Sequence, residues 1–225
     1  NDRVVWAASM VACGDADGAV TGNTRRCGAS FDKIKQVVDV RDGEIMFGLN
    51  MVVHKGKTIF VGDTSVHEYP TSEQMAEIAI STARVVRLFG FVPKVAFVSH
   101  STFGQPLTSR TKHIRNAVDI LKERKVDFEF DGDMQPDVAL NPEYEDLYPF
   151  SKIVGKANIL IMPGQHSAAI SYKMMKTLGD TKVIWPLLIG LGLPIEIAPL
   201  RSSTSELINL ASIAAYSADV IDYKK

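Results

Sequence analysis

The chain offers little sulfur chemistry. Its 225 residues include two cysteines, Cys13 and Cys27. They stand at neither CxxC nor metal-type spacing, which excludes a disulfide framework, a thioredoxin-type redox pair and a zinc ribbon, and fits a reducing, cytoplasmic compartment. Neither sign of charge is in surplus: 25 Lys and Arg face 26 Asp and Glu, a formal net charge of −1. No broad basic face is expected, hence no nucleic acid partner, although a local basic pocket is still allowed. No apolar run is long enough to span a membrane. The richest, residues 184–199, is broken by Pro186, Pro194 and Pro199 and by Gly190 and Gly192. No signal peptide is read at the start. Asn1-Asp2-Arg3 runs without an initiator methionine into Val4-Val5-Trp6-Ala7-Ala8, which reads as element interior, so a piece of a longer protein is expected.

Several motifs are missing too. There is no GxGxxG, no GxxxxGK[ST] and no GxSxG, so dinucleotide loops, Walker loops and nucleophile elbows are not read here. Asp15-Ala16-Asp17-Gly18 and Asp131-Gly132-Asp133 start like calcium loops. The glycine and glutamate an EF-hand requires at its sixth and twelfth positions are Val20 and Arg26 in the first, Pro136 and Pro142 in the second. No metal site is expected. The histidines at 54, 67, 100, 113 and 166 do not pair at helical ligand spacing. His100 and His166 fall in candidate site loops, where a general base and a hydrogen-bonded loop histidine are both open readings.

What is present is an alternation of strands and helices. Thr71-Ser72-Glu73-Gln74 is a capping box that opens a helix with Met75, Ile78, Ala79, Thr82, Val86 and Phe89 on one face, closed by Gly90. Residues 94–99 form a short strand, Ile114, Ala117, Val118 and Leu121 one helix face, and residues 126–130 a strand ending at Asp131-Gly132. Residues 159–162 and the helix after them repeat the unit. Ser203-Thr204-Ser205-Glu206 is a second capping box, followed by the stripe Leu207, Leu210, Ala211, Ala214 and Ala218. That stripe suits a partner subunit or an internal core face. Residues 45–53 and 58–61 flank a hairpin turn. The pattern predicts an α/β fold with a mostly parallel sheet covered on both faces, in three α/β/α layers. Ligands of such sheets bind beyond the carboxyl ends of the strands, here at loops 99–105, 131–137, 163–167 and 200–203.

The most informative loop is the third. An apolar strand passes through Pro163 into Gly164-Gln165-His166-Ser167 and a helix carrying Tyr172 and Lys173. Free N–H groups and the positive end of a helix dipole converge there and suit phosphate or carboxylate. An ordinary α/β turn with a solvated Lys173 is the alternative.

These segments resemble the phosphate acetyl/butyryltransferase (phosphotransacetylase) family over nearly the whole chain. Residues 15–22 resemble its DxDGxVSG signature, and Ser101-Thr102 its YST loop. Residues 131–137 resemble DGxxQxD, 163–173 PDLNxGNIxYK, and 185–190 GPIxxG. Ser101-Thr102-Phe103-Gly104 and Asp137-Val138-Ala139-Leu140-Asn141 resemble more finely the phosphotransacetylase-like domain at the C-terminus of bacterial malic enzymes. The resemblance implies a two-lobed fold whose N-terminal part is missing from residues 1–225, with the ligand cleft between the lobes. It implies acetyl-CoA or a related CoA ester as ligand, self-association, and a malic enzyme domain on the same polypeptide using NADP and a divalent metal. No cofactor is expected in this chain itself. Binding is then expected from Thr21 and Gly22, from Ser101 and Thr102, from Gly164, Gln165, His166 and Ser167, from Tyr172 and Lys173, and from Arg201 and Ser202.

The departures point the other way for catalysis. Catalytic members of the family carry Ser-Arg-Gly-Cys before the last helix and an aspartate beyond it. Here Pro199, Leu200 and Glu206 stand at the positions of serine, arginine and aspartate. A one-residue gap lets Arg201 match the arginine but leaves Leu200 for the serine. Another family arginine falls at Asp32, which would repel a phosphoryl group. The resemblance therefore implies a regulatory, catalytically degenerate domain. The rivals are an active phosphate acetyltransferase using residues such as Arg201 and His166, and a structural dimerisation module.

Overall fold

The computed structural model describes residues 2–221; Asn1, the first residue of the opening segment, lies outside them. In chain order the elements are α1 (Arg3–Cys13), β1 (Ala19–Gly22), α2 (Cys27–Ile34), β2 (Phe47–His54), β3 (Lys57–Gly62), α3 (Ser72–Leu88), β4 (Lys94–Val98) and α4 (Ser109–Glu123). Then follow β5 (Glu129–Met134), α5 (Pro136–Leu140), a 3₁₀ turn (Pro142–Leu147), β6 (Ile159–Ile161), α6 (Gln165–Leu178), β7 (Thr181–Ile189), β8 (Ile195–Ala198) and α7 (Thr204–Val220). The chain divides into two compact units, residues 1–48 with 184–225, and residues 49–183.

In the first unit β1 and β8 pair in parallel, with Val20 opposite Glu196 and Thr21 opposite Ile197. Val4, Ala8 and Val11 of α1, Ile34 of α2 and Ile195 and Ile197 of β8 belong to one buried cluster. α1 starts where Asp2 caps the Val4 N–H at 2.9 Å and stops at Gly14, whose backbone is left-handed. The capping box before α7 is present. Leu210 and Ala214 of the α7 stripe are buried and α7 packs on β1 and β8, whereas Ala211 of the same stripe is exposed.

In the second unit β5, β4, β6 and β3 run parallel, and β2 returns antiparallel to β3 through the two-residue turn Lys55-Gly56. The strand order within this unit is β5-β4-β6-β3-β2. α3 and α4 pack side by side and over β3 to β6, α5 meets β4, and α6 meets β3, the three-layer α/β/α arrangement expected from the alternation. Phe60, Phe97, Met75, Ile78, Ile114 and Ile159 are fully buried, each stabilising by about 1.5–3 kcal/mol. The Thr71–Gln74 capping box is present, and Thr108 with Thr111 forms a further one before α4. The latter escapes sequence reading because threonine, not Glu or Gln, stands at its third helical position.

β5 differs from expectation at both ends, and begins at Glu129 rather than at residue 126. Asp131-Gly132 does not end β5, which continues to Met134. Pairing with β4 overrides the local turn signal, and a register shift between Phe97 and Val98 absorbs the irregularity. Gly132 serves close approach: a Cβ there would lie 2.7 Å from the Phe97 carbonyl oxygen.

Candidate functional site

Because β3, β4, β5 and β6 are parallel, their carboxyl ends share one edge of the second unit. The loop after β3 is organised by Asp63, 2% exposed, which accepts the N–H groups of Ser65 and Val66 at 3.1 Å and of His67 at 2.8 Å. His67 Nδ1 lies 2.5 Å from the same carboxyl group. The loop after β4 is organised by fully buried Asp133, which accepts the Ser101 hydroxyl and the Gly104 N–H. Thr102 Oγ1 accepts the Gln135 N–H at 3.3 Å. Two buried carboxyl groups thus hold these loops by converging donors.

Around that edge lies a cavity of ≈ 470 Å³, a size suited to a small ligand or part of a larger one. Val98, Ile114, Pro136 and Met162 supply apolar walls; Glu68, Tyr69, His100, Arg110 and His166 supply polar ones. Gly164 and Ser167 line it as well. Gly164 has φ 155°, and a Cβ there would lie 2.3 Å from the Glu68 carbonyl oxygen, so only glycine lets α6 begin against this loop. No side chain caps α6. Gln165 is tied down instead: its N–H donates to His67 O at 2.9 Å and its Nε2 to Ser65 O at 3.1 Å.

Among the described residues no group of three or more His, Cys, Asp or Glu is arranged to hold a metal ion. No helix among them is long and apolar enough to cross a membrane.

A family model described as phosphate acetyl/butaryl transferase matches residues 1–215. The chain belongs to that family. It is 47% identical over 217 residues to the NADP-dependent malic enzyme of Rhizobium meliloti (strain 1021), covering 96% of this chain and 28% of that protein. It is 30% identical over 219 residues to the phosphate acetyltransferase of Bacillus subtilis (strain 168), covering 96% of this chain and 68% of that one. A solved phosphotransacetylase from Streptococcus pyogenes matches with TM-score 0.89 at 29% identity, over 96% of this chain and 67% of its own. The chain thus spans under a third of that malic enzyme and about two thirds of the Bacillus phosphate acetyltransferase and the Streptococcus phosphotransacetylase.

Within this phosphotransacetylase-like chain, the expected ligand residues divide between the units. On the second unit Gly164, His166 and Ser167 line the cavity, and His166 Nε2 lies 3.1 Å from Glu68 Oε1 with both side chains well exposed. Ser101 and Thr102 are buried beside it with their hydroxyls engaged. Tyr172 is buried. Lys173 is exposed on the third turn of α6, its Nζ 5.8 Å from the Tyr172 ring, and is not among the residues lining the cavity. On the first unit Gly22 packs against the Ala198 backbone, and Thr21 Oγ1 is buried without a partner among the described residues. Arg201 is exposed with its N–H on Asn23 O at 3.1 Å, and Ser202 Oγ donates to Pro199 O at 3.0 Å.

The departing positions are also placed. Pro199 is buried at the end of β8, Leu200 is half exposed, and Asp32 is exposed on α2. The Glu206 carboxyl group accepts the Ser203 N–H at 2.7 Å and lies 2.9 Å from the Ser203 hydroxyl. Sequence reading singles out none of Asp63, His67, Glu68, Tyr69 and Arg110 as site residues, while Asp133 falls in the loop 131–137 that it marks. The signal for the first four was Asp63-Thr64-Ser65 directly after an apolar strand. It was passed over because a hairpin strand does not announce its parallel pairing with β6.

Proposed function

We propose that this chain is the phosphotransacetylase-like part of a bacterial, cytoplasmic NADP-dependent malic enzyme, that it binds acetyl-CoA or a related CoA ester as a regulatory ligand, and that it transfers no acyl group. The parent would oxidatively decarboxylate malate to pyruvate, with NADP and the divalent metal held outside this chain. Regulation requires the CoA ester to favour one of two states of a self-associated parent, since a ligand binding both equally shifts neither.

The observation that carries the reading is the segment from Pro199 to Glu206. A buried proline and a half-exposed leucine offer no hydroxyl to assist a thiol, and the Glu206 carboxyl group is engaged with Ser203 in a capping box. Loss of a positioned acid or base costs about 10²–10⁴-fold in rate. Loss of charge stabilisation costs a further ~10²–10³-fold.

Two measurements on the purified protein test it. Thioester formation from acetyl phosphate and CoA is expected to be negligible; turnover within about tenfold of the ~10 s⁻¹ typical of enzymes would establish an active phosphate acetyltransferase instead. Acetyl-CoA is expected to raise the melting temperature by mass action where acetate does not. No binding at millimolar acetyl-CoA would leave a structural dimerisation module.

A further inference from the structure

We infer that Arg110, propped on the ring of Tyr69, is an anion clamp at the middle of an extended groove on the second unit, where it meets the diphosphate of a CoA ester. The acylated stem lies in the ≈ 470 Å³ cavity on one side, and the nucleotide in a neighbouring depression of ≈ 350 Å³ on the other. The identity of the ligand rests on the CoA-ester reading above; the clamp rests on the following geometry.

Arg110 and Tyr69 are the two residues that line both hollows. The Arg110 Cζ lies 5.0 Å from the Tyr69 ring centroid. A guanidinium stacked on a ring gains cation–π stabilisation while its in-plane N–H donors stay free, in a fork that matches phosphate oxygens. Arg25, Arg41, Arg87 and Arg124 each have a carboxylate within 3.1 Å. Arg110 has none among the described residues, so its charge is uncommitted at the mouth of an apolar cavity.

The two hollows differ in chemistry. The larger is walled by Val98, Ile114, Pro136 and Met162, which suits an uncharged stem. The smaller includes Thr71 and Ser109, at the starts of α3 and α4, with His113 beside them, which suits a polar, phosphorylated head. The order stem, diphosphate, nucleotide along a CoA ester matches the order large cavity, Arg110, small depression. One opposing charge stands in the way: the Glu68 carboxylate lines the large cavity, with His166 Nε2 at 3.1 Å. An arriving anion meets that carboxylate, so removing its charge should help binding.

The test is titration of the purified protein with acetyl-CoA, with S-acetylpantetheine (the stem without diphosphate) and with inorganic pyrophosphate, the two smaller probes followed by NMR at millimolar concentration. Arg110→Ala should raise the acetyl-CoA Kd by roughly tenfold to a hundredfold, the range for a lost hydrogen bond to a charged group, and leave S-acetylpantetheine unaffected. Arg110→Lys should recover part of the loss, and Glu68→Gln should tighten acetyl-CoA binding. Melting curves should match wild type, since Arg110 is exposed. An unchanged acetyl-CoA Kd in Arg110→Ala, or an equal loss for S-acetylpantetheine, overturns the clamp. If wild type binds no acetyl-CoA, the CoA-ester reading fails and pyrophosphate decides the clamp by itself. Binding by wild type that Arg110→Ala loses sustains it; no binding by wild type, or equal binding by both, overturns it.

Discussion

The two units bury carboxyl groups in opposite ways. In the second, Asp63 and Asp133 sit at strand ends where several donors converge on each, and those donors belong to the loops that surround the cavity. In the first, Glu196 is 4% exposed in the middle of β8, and it accepts the Leu188 N–H at 3.1 Å. Burial pushes its carboxyl group up to about 8, against that single favourable hydrogen bond. The difference teaches what each acid is for. A carboxyl group surrounded by donors fixes loop geometry; one with little beyond a backbone N–H is accommodated by staying protonated.

The largest expected effect is at Asp133. Asp133→Ala strands the Gly104 N–H and leaves the buried Ser101 hydroxyl only Ser99 Oγ at 3.4 Å, at about 1–3 kcal/mol each. Denaturant unfolding should show a loss of ~3 kcal/mol or more. A loss below about 1 kcal/mol would mean that the loop after β4 finds other partners, and the contrast between the units would break.

Glu196 gives the next effect, and its sign runs against the usual acid. Its folded value lies above the 4.5 of the free group, so the fold favours the neutral form. That contribution is complete below pH 4.5 and is lost as pH climbs toward about 8. Stability measured across this window should fall by up to ~1.4 kcal/mol per pH unit more in wild type than in Glu196→Gln. Equal slopes would show that Glu196 ionises as freely folded as unfolded.

The smallest effect is expected at Lys173, which is exposed and does not line the cavity. Lys173→Ala should weaken acetyl-CoA binding by less than about fivefold, the ~1 kcal/mol ceiling of an exposed charge pair. A larger loss in titration calorimetry would move the phosphates from Arg110 to α6.

Much of the fold is legible in the chain. The capping boxes at Thr71 and Ser203, the hairpin turn at Lys55-Gly56 and the strand leading into Gly164 are all local signals, carried by residues within a few positions of one another. The site is legible only in part. Gly164, His166 and Ser167 were marked by their place after a strand, and the structure brings them to the cavity. Tyr69 and Arg110 carry no mark, because Tyr69 lies in the loop before α3 and Arg110 in the first turn of α4, and they meet only when α3 and α4 pack together.

Sequence by itself determined the alternation of elements, the family and the absence of a hydroxyl at Pro199 and Leu200, since each depends on residue identity and short-range spacing. The tertiary structure decided the rest. It placed β3 between β2 and β6, so that Asp63 joined the edge where β4, β5 and β6 end. It carried β5 through Gly132 to bury Asp133 against Ser101. It also buried Leu210 and Ala214 of α7, the helix that packs on β1 and β8. Each outcome depends on strand pairing and side-chain packing between residues far apart in the chain, where local propensity is a weak guide and the burial of shared surface prevails.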